Sequence, residues 1–139
     1  MHDIRRAAER SAQEELAASL DRQSGDEEAL REIESTIEEA REQLRAVDPG
    51  ATLPGLEPGA TNAYLERLAG RRAAAARQVA ISSTDVDERR RVLGAAAQER
   101  QALDRLRERR QAEHLVEAGR AEGSRLDELA LAAHRRSAA

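Results

Sequence analysis

The chain has 139 residues, a formal net charge of −4 and 36% charged residues of mixed sign, with no Phe, no Trp, no Cys and one Tyr, Tyr64. The length suits a single domain, but a compact multilayer core is not expected without large aromatic side chains, and the absence of cysteine excludes disulfides and thiolate metal sites. A composition rich in Ala, Glu, Arg and Leu is instead the signature of long helices or coiled coils.

In chain order, the first helix is expected over about 3–47. Ile4, Ala8, Leu16 and Leu20 are assigned to its inner face. Between Leu20 and Leu30 the core sites carry Gln23, Asp26 or Glu27, and Ser24-Gly25-Asp26 is a weak helix-start signal. The reading is a continuous helix with a stutter there. From Leu30 the pattern becomes strict: Leu30, Ile33, Ile37, Ala40, Leu44 and Val47 step by three and four, which lays a narrow apolar seam along one side of a helix.

Asp48-Pro49-Gly50 ends this helix, because proline cannot continue it and glycine suits the reversal. The connector, about 48–61, holds all three prolines, Pro49, Pro54 and Pro58. Its two apolar residues, Leu53 and Leu56, either cap the end of the coil or meet a partner. Capping is the expectation.

The second helix is expected over about 62–136, N-capped by Thr61 or Asn62. Leu65, Leu68, Ala75, Val79, Val86, Leu93, Ala96 and Leu103 resume the three-four spacing. The stretch Ile81 to Glu88 carries helix-start chemistry, yet the heptad phase passes through it from Val79 by Ser82 to Val86, so one long helix with a soft spot is expected. Gly119 and Gly123 weaken its far end.

Two such seams joined by a short connector bury themselves either against each other or against helices of another protein, and the hairpin is the first reading. The fold class is therefore all-α, an antiparallel two-helix coiled-coil hairpin with a longer second helix, one coiled-coil domain over 1–139. Counting inward from the tip, Val47 faces about Leu65 and Ile4 about Glu108. This leaves ~25 residues of the second helix unpaired, a tail of nearly 40 Å at ~1.5 Å per residue, with Leu115, Leu126 and Leu129 uncovered.

Charge is distributed unevenly. Acidic residues crowd the first helix at Glu27, Glu28, Glu32, Glu34, Glu38 and Glu39. Arginines crowd the second at Arg89 to Arg91 and at Arg105, Arg107, Arg109 and Arg110. In a hairpin these clusters are expected to face each other as flanking salt bridges, each worth ~0.5 kcal/mol when exposed, so they select register more than they stabilise. Arg72, Arg89 and Arg100 fall on seam sites. They either snorkel past a thin alanine-rich core or mark where the coil tolerates another chain. All 23 basic residues are Arg, which reflects either GC-rich codons or a demand for bidentate anion contacts.

Chemistry of other kinds is missing from the pattern. There is no phosphate-binding glycine loop, and His2, His114 and His134 are too far apart for a metal set. Helical carboxylate pairs without a pocket to desolvate them do no acid–base work, so no enzyme, cofactor or metal site is expected. Nucleic acid is not an expected partner: the total charge is acidic, acidic residues interrupt each arginine run, and stacking aromatics are absent. No apolar run reaches the roughly 18 residues of a membrane span, and the start Met-His-Asp-Ile-Arg-Arg lacks a signal-peptide core, so a cytoplasmic protein is expected.

The block Leu103 to Glu113, then Glu117-Ala118-Gly119-Arg120 and Arg125-Leu126-Asp127-Glu128-Leu129-Ala130, resembles the end of the FliJ family of flagellar export proteins. In that family a Leu-x-x-Leu-x-Glu-Arg-Arg run leads into an Arg-x-Leu-Asp-Glu-x-Ala-type ending. The resemblance implies a two-helix stalk that binds the hexameric flagellar export ATPase with the end bearing both termini. It also implies contacts with a membrane export gate protein and export chaperones, and peripheral membrane association only through such partners. On this resemblance Arg105, Arg109, Arg110, Leu126 and Leu129 lie on the ATPase-facing end. The alternative is a generic coiled-coil scaffold or chaperone that binds amphipathic helices, unrelated to an ATPase.

Overall fold

The computed structural model describes residues 1–46, 53, 55 and 59–138. It contains two helices, α1 over His2–Arg45 (44 residues) and α2 over Ala60–Ala138 (79 residues), and no strand among the described residues. The pairs His2–Asp104, Glu9–Arg100, Glu15–Arg89, Ser19–Asp85 and Glu34–Arg72 descend one helix as they climb the other. The two helices therefore pack antiparallel as a hairpin, the second the longer.

In α1 a row of buried and half-buried positions runs through Glu9, Ala12, Leu16, Ser19, Gln23 and Asp26, continuing through Leu30, Ile33, Ile37, Ala40 and Leu44, with His2, Glu27 and Thr36 half-buried beside it. The steps alternate three and four throughout, so the expected stutter is absent and the polar stretch lies in the same register as the strict heptads. Ile4, Ala8 and Leu20 are corrected accordingly: each sits one residue off the seam and is exposed, Ile4 at 71%. Leu16 alone of that set is on the inner face. Register in a coil is cooperative along the rod, and the well-filled heptads from Leu30 onward hold it where the core slots are polar.

In α2 every expected apolar seam residue from Leu65 to Leu103 is buried or half-buried. The helix runs unbroken through the soft spot, where Ser82 Oγ donates to the Gln78 and Val79 carbonyls (3.1 Å each) and Thr84 Oγ1 to the Ala80 carbonyl (3.0 Å). Hydroxyls bonded back to the preceding turn need no break in the ladder. Among the described residues the buried apolar side chains are few: Ala12, Ala40, Leu53, Leu68 and Val86.

At the tip, α2 begins at Ala60, two residues before the expected start, directly after Gly59, whose φ of +89° only glycine adopts without strain. Thr61 lies within the helix, and its Oγ1 accepts the Leu53 N–H at 3.2 Å. Leu53, 5% exposed, caps the end of the coil. The readings placed on Val47, on Asp48-Pro49-Gly50, on Pro54 and Pro58, and on Leu56 lie outside the described residues.

The earlier start of α2 draws the pairing inward. His2 meets Asp104, where the sequence count set Ile4 opposite about Glu108. The overhang beyond α1 is therefore longer than expected, roughly 34 residues or about 50 Å of single helix at ~1.5 Å rise.

Candidate partner-binding surfaces

An ionic ladder of partly exposed pairs runs along the apolar core and selects register more than it stabilises. Each arginine on an α2 seam site meets a glutamate of α1: Arg72 Nε bonds Glu34 at 3.3 Å, Arg89 bonds Glu15, and Arg100 bonds Glu9. Neither snorkelling alone nor an opening for a third chain describes these residues. They fill polar layers with cross-helix pairs. Arg5 adds a pair to Glu99. Mid-coil, Asp85 Oδ2 accepts the Ser19 hydroxyl at 2.5 Å and an Arg22 N–H at 3.1 Å. The Ser19 hydroxyl and Arg22 guanidinium, with the nearby Arg89 charge, hold the Asp85 carboxyl below its usual range.

A second polar cluster closes the free end of α1. His2 Nε2 lies 2.5 Å from Asp104 Oδ1, and Arg100 donates to Asp104 Oδ2 at 2.8 Å while also bonding Glu9. The His2 hydrogen bond first, then Arg100, lowers the Asp104 pKa, and the Glu9 hydrogen bond raises that of Arg100.

The expected facing of the acidic and arginine clusters does not occur. Arg31 pairs with Glu28, Arg41 with Glu38, Arg45 with Glu42, Arg90 with Asp87 and Arg91 with Glu88, all within one helix. The antiparallel register sets Glu34 against Arg72, so the acidic cluster from Glu27 to Glu39 lies along the start of α2, and the later arginines Arg89 and Arg100 meet Glu15 and Glu9 instead. Pairs at i, i+3 and i, i+4 are the shorter route for side chains on outer faces.

Two surfaces remain open. Near the tip, a groove of about 520 Å³ runs between the helices, lined mainly by Ile37, Arg41, Leu65, Ala69, Arg72 and Ala73. Leu65 belongs to the seam, and Ala69, Ala73 and Ala76 follow it at helical spacing along the exposed edge of that seam, a stripe that the sequence spacing carries. The other surface is the tail beyond α1, where Leu115, Val116, Leu126, Leu129 and Leu131 are all more than half exposed. Among the described residues, no ion pair involves a side chain beyond Asp104.

All five residues assigned to the ATPase-facing end lie on this tail and are exposed. They do not form one patch. Arg105 and Arg109, four apart, share a face, while Arg110 turns ~100° from Arg109 and lines a small apolar cavity with Met1, Leu103 and Leu106. Leu126 and Leu129 share another face, about 24 Å along the axis from Arg110 at ~1.5 Å per residue. The residues that sequence reasoning missed are the α1 partners Glu9, Glu15 and Ser19, because an ion pair across the coil carries no sequence signal until the register is known.

No group of three His, Asp or Glu side chains among the described residues could hold a metal ion, and no described helix is long and apolar enough to cross a membrane. No curated protein and no solved structure matches the chain. The family described as the Flagellar FliJ protein matches residues 1–139, the whole chain. The chain belongs to the FliJ family and is thus a flagellar export-associated protein of a non-enzymatic family.

Proposed function

We propose that this FliJ-family chain is a non-catalytic stalk of the flagellar export apparatus, acting as a single coiled-coil unit that binds the export ATPase hexamer and couples it to the membrane export gate. The observation that carries the reading is the unpaired tail: roughly 34 residues of helix with exposed leucines, at the end where both termini lie. A rod that links two machines needs separate surfaces near its two ends, and the apolar groove at Ile37 and Leu65 lies near the tip, away from the tail. The tail, with Arg105, Arg109, Arg110, Leu126 and Leu129, is assigned to the ATPase, and the groove to the gate. Export chaperones are further partners, held by the same kind of helix-on-helix contact. The chain sits in the cytoplasm, at the inner face of the membrane only through these partners.

The test is ATPase turnover and ring assembly with and without the purified chain, alongside motility of cells carrying Leu126→Asp with Leu129→Asp. The wild type is expected to stimulate hydrolysis and the double variant to lose both stimulation and motility. Unchanged hydrolysis and assembly with the wild type, together with normal motility of the variant, would overturn the reading.

A further inference from the structure

The two halves of the hairpin are joined by different forces. Among the described residues, every hydrogen bond and ion pair from α1 to α2 except Glu34–Arg72 comes from the first half of α1. His2 bonds Asp104, Arg5 bonds Glu99, Glu9 bonds Arg100, Glu15 bonds Arg89, and Ser19 and Arg22 bond Asp85. The apolar contribution runs the other way. On the seam of α1 before Gln23 only Ala12 and Leu16 are apolar, whereas Leu30, Ile33, Ile37, Ala40 and Leu44 form an unbroken apolar row. The first half therefore lies on α2 mainly through partly exposed charge pairs, each weak and screened by salt, and the second half through hydrophobic burial.

Between the halves stands a sequence able to end one helix and start another. Ser24-Gly25-Asp26-Glu27 has the Ser-x-x-Glu form of a capping box, in which the serine oxygen accepts the N–H three residues on and the glutamate reaches back to the serine N–H. Gly25, within the box, is the poorest helix former after proline. In the closed hairpin α1 is one helix, His2–Arg45, and the box has no helix start to cap. At a break it satisfies N–H groups that the break sets free. The seam residues on either side, Gln23 and Asp26, are polar, so parting the helices at this level separates no apolar residue of α1 from α2.

We infer that the first half of α1, residues 2–23, is a strap that leaves α2 as a unit by breaking the helix at Ser24 to Glu27, while α1 from Leu30 onward stays paired. Beneath the strap the α2 side is apolar, with Val86, Leu93, Ala96 and Leu103 on the covered seam and Val86 only 1% exposed. Release uncovers these residues and moves the point where α2 becomes a single helix from about Asp104 back to about Asp85. The unpaired length of α2 is then a variable of the molecule with two values, short with the strap closed and longer with it open. This goes beyond the stalk reading and does not depend on it.

Hydrogen exchange on the full chain, read by mass spectrometry in about 0.05 M and about 1 M NaCl, tests the strap. Protection is expected to be uniform across residues 8–23 and at least about tenfold lower than across residues 33–44, because segments that open together exchange together. The higher salt shortens the screening length to about 3 Å and is expected to lower the protection of 8–23 several-fold, leaving that of 33–44 unchanged or higher. At Gly25 an added Cβ meets nothing within 4 Å, so Gly25→Ala is accommodated. It is expected to raise the protection of 8–23 by about two- to fivefold, since alanine favours the unbroken helix alone. Gly70→Ala, at an equally open site in the part of α2 that stays paired in both states, is expected to leave the protection of 8–23 unchanged.

Protection that declines steadily from residue 23 toward residue 2 would be ordinary end fraying and would overturn the inference. Equal protection of the two halves, a salt response common to both, or a Gly25→Ala effect no larger than that of Gly70→Ala would do the same. The assay contains neither ATPase nor gate, so a strap that never releases sinks this inference alone, and a chain that fails to stimulate the ATPase leaves it standing.

Discussion

Asp85 illustrates how a polar residue earns a place beside a coiled-coil core. It takes the Ser19 hydroxyl and an Arg22 N–H across the helix interface, and Arg89 Nε lies 3.7 Å from its other oxygen. Val86, next in the chain, is 1% exposed, so the polar layer and the apolar one alternate within a single turn. Because these donors lower the folded pKa of Asp85 below the ~3.9 of an unfolded aspartate, the folded state binds fewer protons than the unfolded state in that range. The stabilisation is complete above about pH 4 and is lost as pH falls through the folded value. Thermal melts from pH 7 to pH 2 are expected to show the wild type more stable than Asp85→Asn at neutral pH, with the two curves converging in acid. Parallel curves would mean that the carboxylate contributes nothing specific to the native state.

At the scale of the element, α2 runs straight through Ser82 to Thr84, where local chemistry favours a start or a cap. Preserved heptad phase foretold this, because a helix that restarts has no reason to keep its predecessor's register. Glycines in the same rod separate two effects. At Gly94 an added Cβ meets nothing within 4 Å, so Gly94→Ala is expected to stabilise the hairpin by about 0.5–1 kcal/mol through helix propensity. Gly59, before the first turn of α2, has a φ of +89°. Gly59→Ala there is expected to destabilise by roughly 1–2 kcal/mol. Denaturant melts of the two variants, read against the wild type, check the opposite signs.

For the molecule as a whole, stability and partner binding are expected to reside in different lengths of one helix. A chain ending after Leu106 keeps every cross-helix ion pair, of which His2–Asp104 lies farthest along α2, and is expected to melt within a few degrees of full length while losing ATPase binding. Amide exchange on the full chain should show the same division, fast beyond Arg110 and protected from Leu65 to Leu103, because a lone helix in water opens segment by segment. A large fall in melting temperature on truncation would show that the tail folds back on the hairpin. The all-α hairpin was legible because the apolar residues of Leu30–Leu44 and Leu65–Leu103 repeat at a spacing that only a two-helix seam satisfies. The inner face before Leu30 was misread because Ile4, Ala8 and Leu20 are apolar by type but lie one residue away from the seam. Composition and periodicity by themselves determined that two helical rods pair and that one outlasts the other, since both are local properties of the chain. Only the tertiary structure decided which glutamate meets which arginine, how far the overhang extends and which side of it is open, because each depends on the register in which the rods lock, and register is set by the sum of all layers along the coil at once.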